Sequence, residues 1–273
     1  MPSVQVCWIL NKKQRVRKTN SLTNTSMKRF TYIYIFILIL ITGCKKDDEN
    51  NTGTIKVIPR ALFNGSPISS SVLYDDGLGH KIRVEGFKAY LSNFSLHTDE
   101  GESAQLVEIY LADLLNSDQW EIEIPSKQYT SLTFSTGVPP SMNKDTDPAS
   151  YPSNHPLSVN GSAGMFWSWN TGYIFTKFEG KANLEGEESP ILDPFAFHVG
   201  EDYFYRNHEQ EFNICPGGDE TKIIYIDFNV ETFLNHPDDP IDIETNFLTH
   251  TSGNVELAER FNENYNKSIF AHR

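Results

Sequence analysis

The sequence predicts a mainly β fold: a β-sandwich-like single domain closed by a short C-terminal helix. Three observations predict it. Apolar residues alternate with period two from Thr54 onward, turn residues interrupt the pattern, and one helical stripe is confined to the C-terminal end. In Lys222-Ile-Ile-Tyr-Ile-Asp-Phe-Asn-Val230, the side chains of Ile224, Ile226, Phe228 and Val230 share a face, opposite Asp227 and Asn229. His80-Lys-Ile-Arg-Val-Glu85 and Gln128-Tyr-Thr-Ser-Leu-Thr-Phe-Ser135 alternate likewise, and residues 104–110, 166–178 and 195–199 read as further strands. Asp76-Gly77, Val138-Pro-Pro140 and Pro216-Gly-Gly218 supply turns. Asn254 is placed to cap a helix over residues 255–265 with the stripe Leu257, Ala258, Phe261 and Tyr265, and a last short strand follows at 268–271. Roughly 220 residues in short strands suit one all-β domain.

The residues before this domain read as export machinery. Residues 30–42 are apolar and uncharged and follow Lys28-Arg29, which marks 27–43 as a signal peptide. About 13 apolar residues fall short of the roughly 20 that a spanning helix needs. Ile41-Thr42-Gly43-Cys44 resembles a lipobox, which makes Cys44 the lipidated N-terminus of the mature chain. Met27 is a natural start, so residues 1–26 read as an extension upstream of the true start and stay outside fold reasoning. Residues 44–53 form a charged tether without apolar side chains, and the β domain is expected over 54–273. The expected location is the outer membrane, anchored by lipid and facing the cell surface.

Charge narrows the partners. Residues 1–43 hold seven Lys/Arg and no Asp/Glu; removing them leaves 16 basic against 36 acidic residues, a net charge of −20. Such a surface repels nucleic acid and attracts cations, which excludes nucleic acid as a partner. Of three cysteines, Cys7 lies in the discarded part, Cys44 takes the lipid, and Cys215 stands alone as a small buried residue.

Motifs for enzymatic chemistry are missing: there is no phosphate loop, His-Glu-x-x-His, nucleophile elbow or Cys-x-x-Cys. The expectation is a protein that is not an enzyme. The most unusual segment is Gly164-Met-Phe-Trp-Ser-Trp-Asn-Thr-Gly-Tyr-Ile-Phe-Thr-Lys-Phe-Glu-Gly180. If extended, it sends Met165, Trp167 and Trp169 to one side. Aromatic-rich strands usually form core; the sharper reading is a soft, oxidisable patch beside a metal. Histidines are the second feature. His198 points away from Phe195, Phe197 and Val199, while His155, His250 and His272 lie in loops or near the end. Imidazoles from separate elements can converge on copper or zinc, although a lone strand histidine is more often structural.

These pieces together resemble the methanobactin-partner (MbnP-like) family of copper-binding proteins, across essentially residues 54–273. The matching segments, in order, are Tyr90-Leu-Ser-Asn93, Asp99-Glu-Gly101, Tyr129-Thr-Ser-Leu-Thr-Phe-Ser-Thr-Gly-Val138 with Asn143, and Pro156-Leu157. They continue through Gly164-Met-Phe-Trp-Ser-Trp-Asn-Thr-Gly-Tyr173, Phe178-Glu-Gly180 and Phe197-His-Val-Gly200 to the ending with Asn264-Tyr265, Phe270 and His272. The resemblance implies copper capture or storage outside the cytoplasm, with Cu(I) favoured. It implies His198, His250, His155, His272 and Met165 as candidate ligands. It also implies that Trp167 or Trp169 is oxidised to kynurenine by a partner dihaem peroxidase, with a TonB-type transporter as a further partner. The sequence departs from the related copper binders where Trp169 occupies a position that could hold a tryptophan-adjacent histidine. The rival readings are a surface structural or ligand-binding lipoprotein without metal, and a hydrolase using paired carboxylates.

Overall fold

The computed structural model describes residues 51–116, 118–144, 146–167, 172–184, 192–218 and 220–273. The signal peptide, Cys44, nearly all of the tether and Trp169 lie outside the described residues. The strands are β1 (Thr52–Phe63), β2 (Ser66–Pro67), β3 (Tyr74–Asp75), β4 (Lys81–His97), β5 (Ser103–Asp113), β6 (Trp120–Pro125) and β7 (Tyr129–Thr136). They continue with β8 (Phe166–Trp167), β9 (Gly172–Ala182), β10 (Asp193–Gly200), β11 (Arg206–Ile214), β12 (Lys222–Asn229), β13 (Leu248–His250) and β14 (Ile269–His272). The helices are α1 (Pro140–Asn143), α2 (Glu231–Leu234) and α3 (Val255–Lys267).

Two sheets result. The smaller runs β14-β12-β1-β2, with β6 also paired to β1; the larger runs β11-β7-β4-β9-β10-β13, with β3 and β5 on β4 and β8 on β9. Two pairings are parallel, β1 with β12 and β10 with β13. The period-two pattern places the strands as expected: Ile224, Ile226 and Phe228 are fully buried on one face of β12. β1 begins at Thr52, two residues ahead of the expected domain start, because Thr52 and Gly53 already pair with Pro125 and Ile124. The expected strand over 166–178 is divided: Phe166 and Trp167 pair back onto Tyr173 and Gly172 as a hairpin.

The sheets meet through aromatic rings. Phe87 of β4 lies edge-on to Phe178 of β9 at 5.6 Å, to Phe228 of β12 at 5.7 Å and to Phe233 of α2 at 5.5 Å. All four are at most 1 % exposed, so one ring of the larger sheet touches the smaller sheet and a helix at once. Near-perpendicular pairs of this kind add about 0.5–1.5 kcal/mol beyond burial. Helix α3 starts as the sequence predicts, the Asn254 side chain accepting from the Leu257 N–H at 3.2 Å, and it buries Leu257, Ala258, Phe261 and Tyr265. No helix among the described residues is long and apolar enough to cross a membrane. Cys215 is disulfide-bonded, which corrects the reading of a solitary thiol.

Candidate metal centre

Strand register assembles the site. β9 and β10 pair antiparallel with Lys177 opposite His198, and β10 and β13 pair parallel with His198 opposite His250. Residues in register share a sheet face, so Lys177, His198 and His250 form a row, and Glu179, two residues along β9, joins it. Their neighbours Phe178 and Phe197 are fully buried on the opposite, core face. The row is the outer face of the larger sheet, yet His198 is only 8 % exposed because other segments cover it. An open cleft of about 620 Å³ lies there, lined by Trp167, Lys177, His198, His250 and the turn at Ser252-Gly253.

The imidazoles of His198 and His250 stand 4.6 Å apart, centre to centre, at 70°. With each ring centre about 1 Å behind its nitrogen, rings this close can each reach a shared ion through a metal–nitrogen bond of about 2 Å. His198 Nε2 lies 2.6 Å from Glu179 Oε1. Burial pulls the His198 pKa below the ordinary histidine value, Glu179 opposes this, and His250 and Lys177 reinforce it. The ring is therefore neutral at neutral pH, Nε2–H donates to the carboxylate, and Nδ1 keeps its lone pair. A carboxylate fixing one ring nitrogen so that the other can bind is the usual support of a metal-bound histidine. His250 is half-buried, and its ring makes no hydrogen bond among the described residues.

The backbone beside the pair is strained and clamped. Thr251 has φ of 56°, a left-handed conformation that costs a β-branched residue about 1–2 kcal/mol. Its Oγ1 donates to the His198 carbonyl at 3.0 Å and accepts from the Gly200 N–H at 3.0 Å. Strain sustained by such contacts concentrates at functional sites. Trp167, 5 % exposed, packs against Gly200: a Cβ at that position would sit 2.6 Å from Trp167 Cζ3 and 2.4 Å from the Tyr173 carbonyl. The two most specific sequence segments, Met-Phe-Trp and Phe-His-Val-Gly, thus meet face to face.

The other candidates lie apart. His155 stacks on Tyr151 at 4.3 Å and accepts the Leu157 N–H through Nδ1 at 3.1 Å. His272 belongs to the smaller sheet, where Nε2 lies 2.8 Å from Asp227 Oδ2 and the ring stacks on Tyr225. Met165 is fully buried; its neighbours Gly164 and Phe166 line the cleft, whereas Met165 does not. Glu179 is the residue that sequence reasoning did not single out, although it stands in Phe178-Glu-Gly180; only the β9–β10 register shows that it faces His198.

A profile of the MbnP family matches residues 52–256. The chain belongs to the MbnP family. Among solved structures, MbnP from Methylosinus trichosporium is similar, with 16% identity, 70% of this chain and 80% of that chain covered, and a TM-score of 0.45. No curated protein matches. The family match takes in β10 and β13, and with them both histidines of the pair.

In this MbnP-family protein, burial lowers the pKa of His208 as well as that of His198; His208 stacks on Phe134 and pairs with Asn266. A depressed histidine pKa stabilises the fold fully above the unfolded value of about 6.5, and that stability is lost as pH falls below it toward the folded value. The urea midpoint is expected to be lower at about pH 5.5 than at about pH 7.5, and a His198→Gln, His208→Gln double variant should flatten the difference. An unchanged slope in that variant would assign the acid sensitivity to other groups.

Proposed function

We propose that this protein is a non-enzymatic copper-binding protein of the cell envelope, acting in copper capture or storage, with His198 and His250 as the protein's imidazole ligands. The observation that carries the reading is the in-register pair at 4.6 Å beside Trp167, in a chain of the MbnP family. Two imidazoles suit copper in either oxidation state, and a low coordination number favours Cu(I). Glu179 orients His198 and raises its basicity.

Trp167 is the tryptophan proposed for oxidation to kynurenine. An intact indole N–H is a donor only, while oxidative opening of the ring leaves an aromatic amine beside the imidazoles. The oxidant is proposed to be a partner dihaem peroxidase, and a TonB-type transporter is a proposed copper partner. Anchoring by lipid on Cys44 at the outer membrane belongs to the same reading; an intact-mass spectrum of the natively exported chain reads both modifications.

The deciding experiment is titration of the purified protein with Cu(I) and Cu(II), against Zn(II), with variants. His198→Ala and His250→Ala should each weaken copper binding more than about 100-fold, and Glu179→Gln by about 10–100-fold, the usual effect of removing an orienting partner. Copper affinity retained in full by His198→Ala would remove the proposal.

A further inference from the structure

A second cluster stands at the other end of the strands. β13 runs parallel to β10 with Leu248 opposite Ala196, so the residues before Leu248 lie toward the start of β10. His80 precedes β4, whose Ile82 pairs with Ala182, itself opposite Asp193 at that same start. There His80, Asp242 and Glu244 bring one nitrogen and two carboxylate oxygens within 4.8 Å of one another.

Local sequence builds this arrangement. In Ile241-Asp-Ile-Glu244 the two isoleucines are fully buried, so Asp242 and Glu244 project together to the outside. His80 is only 5 % exposed, and Asp76, 3 % exposed, holds it. Asp76 Oδ1 accepts the N–H groups of Leu78 and His80, and Oδ2 lies 3.2 Å from His80 Nδ1. A carboxylate accepts only, so Nδ1 carries its proton toward Asp76 and Nε2 is the nitrogen turned to Asp242 and Glu244. The loop is fixed by close packing: Gly77 has φ of 76°, and a Cβ there would meet Asn235 Nδ2 at 2.3 Å.

The decisive feature is what Nε2 does not do. It lies 4.0 Å from Asp242 Oδ1 and 3.9 Å from Glu244 Oε2, beyond hydrogen-bond distance to either. A side chain more than nine-tenths buried thus aims an unpartnered nitrogen between two carboxylates. No Lys or Arg among the described residues pairs with Asp76, Asp242 or Glu244. A cation between the three ligand atoms gives Nε2 a partner that neither carboxylate supplies directly. The exposed carboxylates can close on it by small rotations.

We propose that His80, Asp242 and Glu244 form a second metal site for a divalent ion of borderline hardness, Zn(II) being the probe, with Asp76 as its positioning residue. One imidazole and two carboxylates disfavour Cu(I), which selects soft thiolate or thioether ligands. The site therefore differs from the His198–His250 pair in chemistry as well as place, and it does not rest on the copper reading.

The test uses the full protein stripped of metal and carrying His198→Ala and His250→Ala, so that zinc cannot occupy the other pair. It should bind one equivalent of Zn(II) and gain thermal stability on binding. Adding Asp242→Asn with Glu244→Gln, both exposed positions, should weaken zinc by more than about tenfold and remove the thermal gain; Asp76→Asn should weaken it about tenfold. Absence of zinc binding in the starting variant overturns the proposal, as does affinity unchanged by the Asn/Gln pair.

Discussion

Phe87→Ala is expected to cost about 3–5 kcal/mol of stability, the range for truncating a buried phenylalanine. The cost should sit at the upper end because this ring touches Phe178, Phe228 and Phe233, which come from both sheets and a helix. A residue packed within one sheet leaves a cavity that its own strand neighbours can partly fill. The space behind Phe87 is bounded by elements fixed to different sheets, so collapse would need the sheets to shift. Urea unfolding of Phe87→Ala beside Phe166→Ala separates the cases, since Phe166 is half-buried and meets only Tyr173 edge-on among the aromatic contacts described. A loss at Phe87 no larger than that at Phe166 would show that the ring does not join the sheets.

On the proposed copper reading, Gly200→Ala should weaken copper binding by about 10–100-fold, as displacement of a group supporting a metal site does. The added methyl would lie 2.4 Å from the Tyr173 carbonyl and 2.6 Å and 2.9 Å from two atoms of the Trp167 ring. The carbonyl belongs to β9 and yields little; the indole is the part that can swing. Its displacement would also shift the tryptophan fluorescence, giving a readout independent of metal. Gly253→Ala is the matched control, because a Cβ there meets nothing within 4 Å although Gly253 lines the same cleft. Equal effects at the two glycines would mean that packing of Trp167 on Gly200 is not what shapes the site.

These two residues show how far the sequence could be read. Alternation identified β5, β7, β10, β12 and the start of β4, because burial acts on each residue locally, and Phe228 was legible as inward-facing; β1, β6 and β11 were not named, and neither was Phe87. Which strand lies beside which depends on long-range pairing, and the parallel partnership of β10 and β13 leaves no local trace. His198 and His250 could therefore be named separately, but their adjacency required the register. The same reason explains His155 and His272, which share the residue type but lie on other elements. Glu179 and the Asp242–Glu244 pair were hidden differently: in so acidic a chain, carboxylates at period-two spacing are too common to single out. The division of the 166–178 segment into β8 and β9 was missed because aromatic residues on both sides read as one run.

The shortness of β13 has a bearing on solubility. Each sheet presents unpaired N–H and C=O groups at its rims, a template on which another chain could add a strand. Beside β10 that template is already taken, and the strand that takes it offers only Leu248, Thr249 and His250 before Thr251 turns the chain away. The smaller sheet ends on β14, of four residues, and on β2 and β6, of two and six residues. At the other rims of the larger sheet, β11 and β5 are longer but carry charges, Arg206, Glu209 and Glu211 in β11 and Glu108 and Asp113 in β5. The strand that delivers His250 thus also blunts one edge of the larger sheet against strand addition.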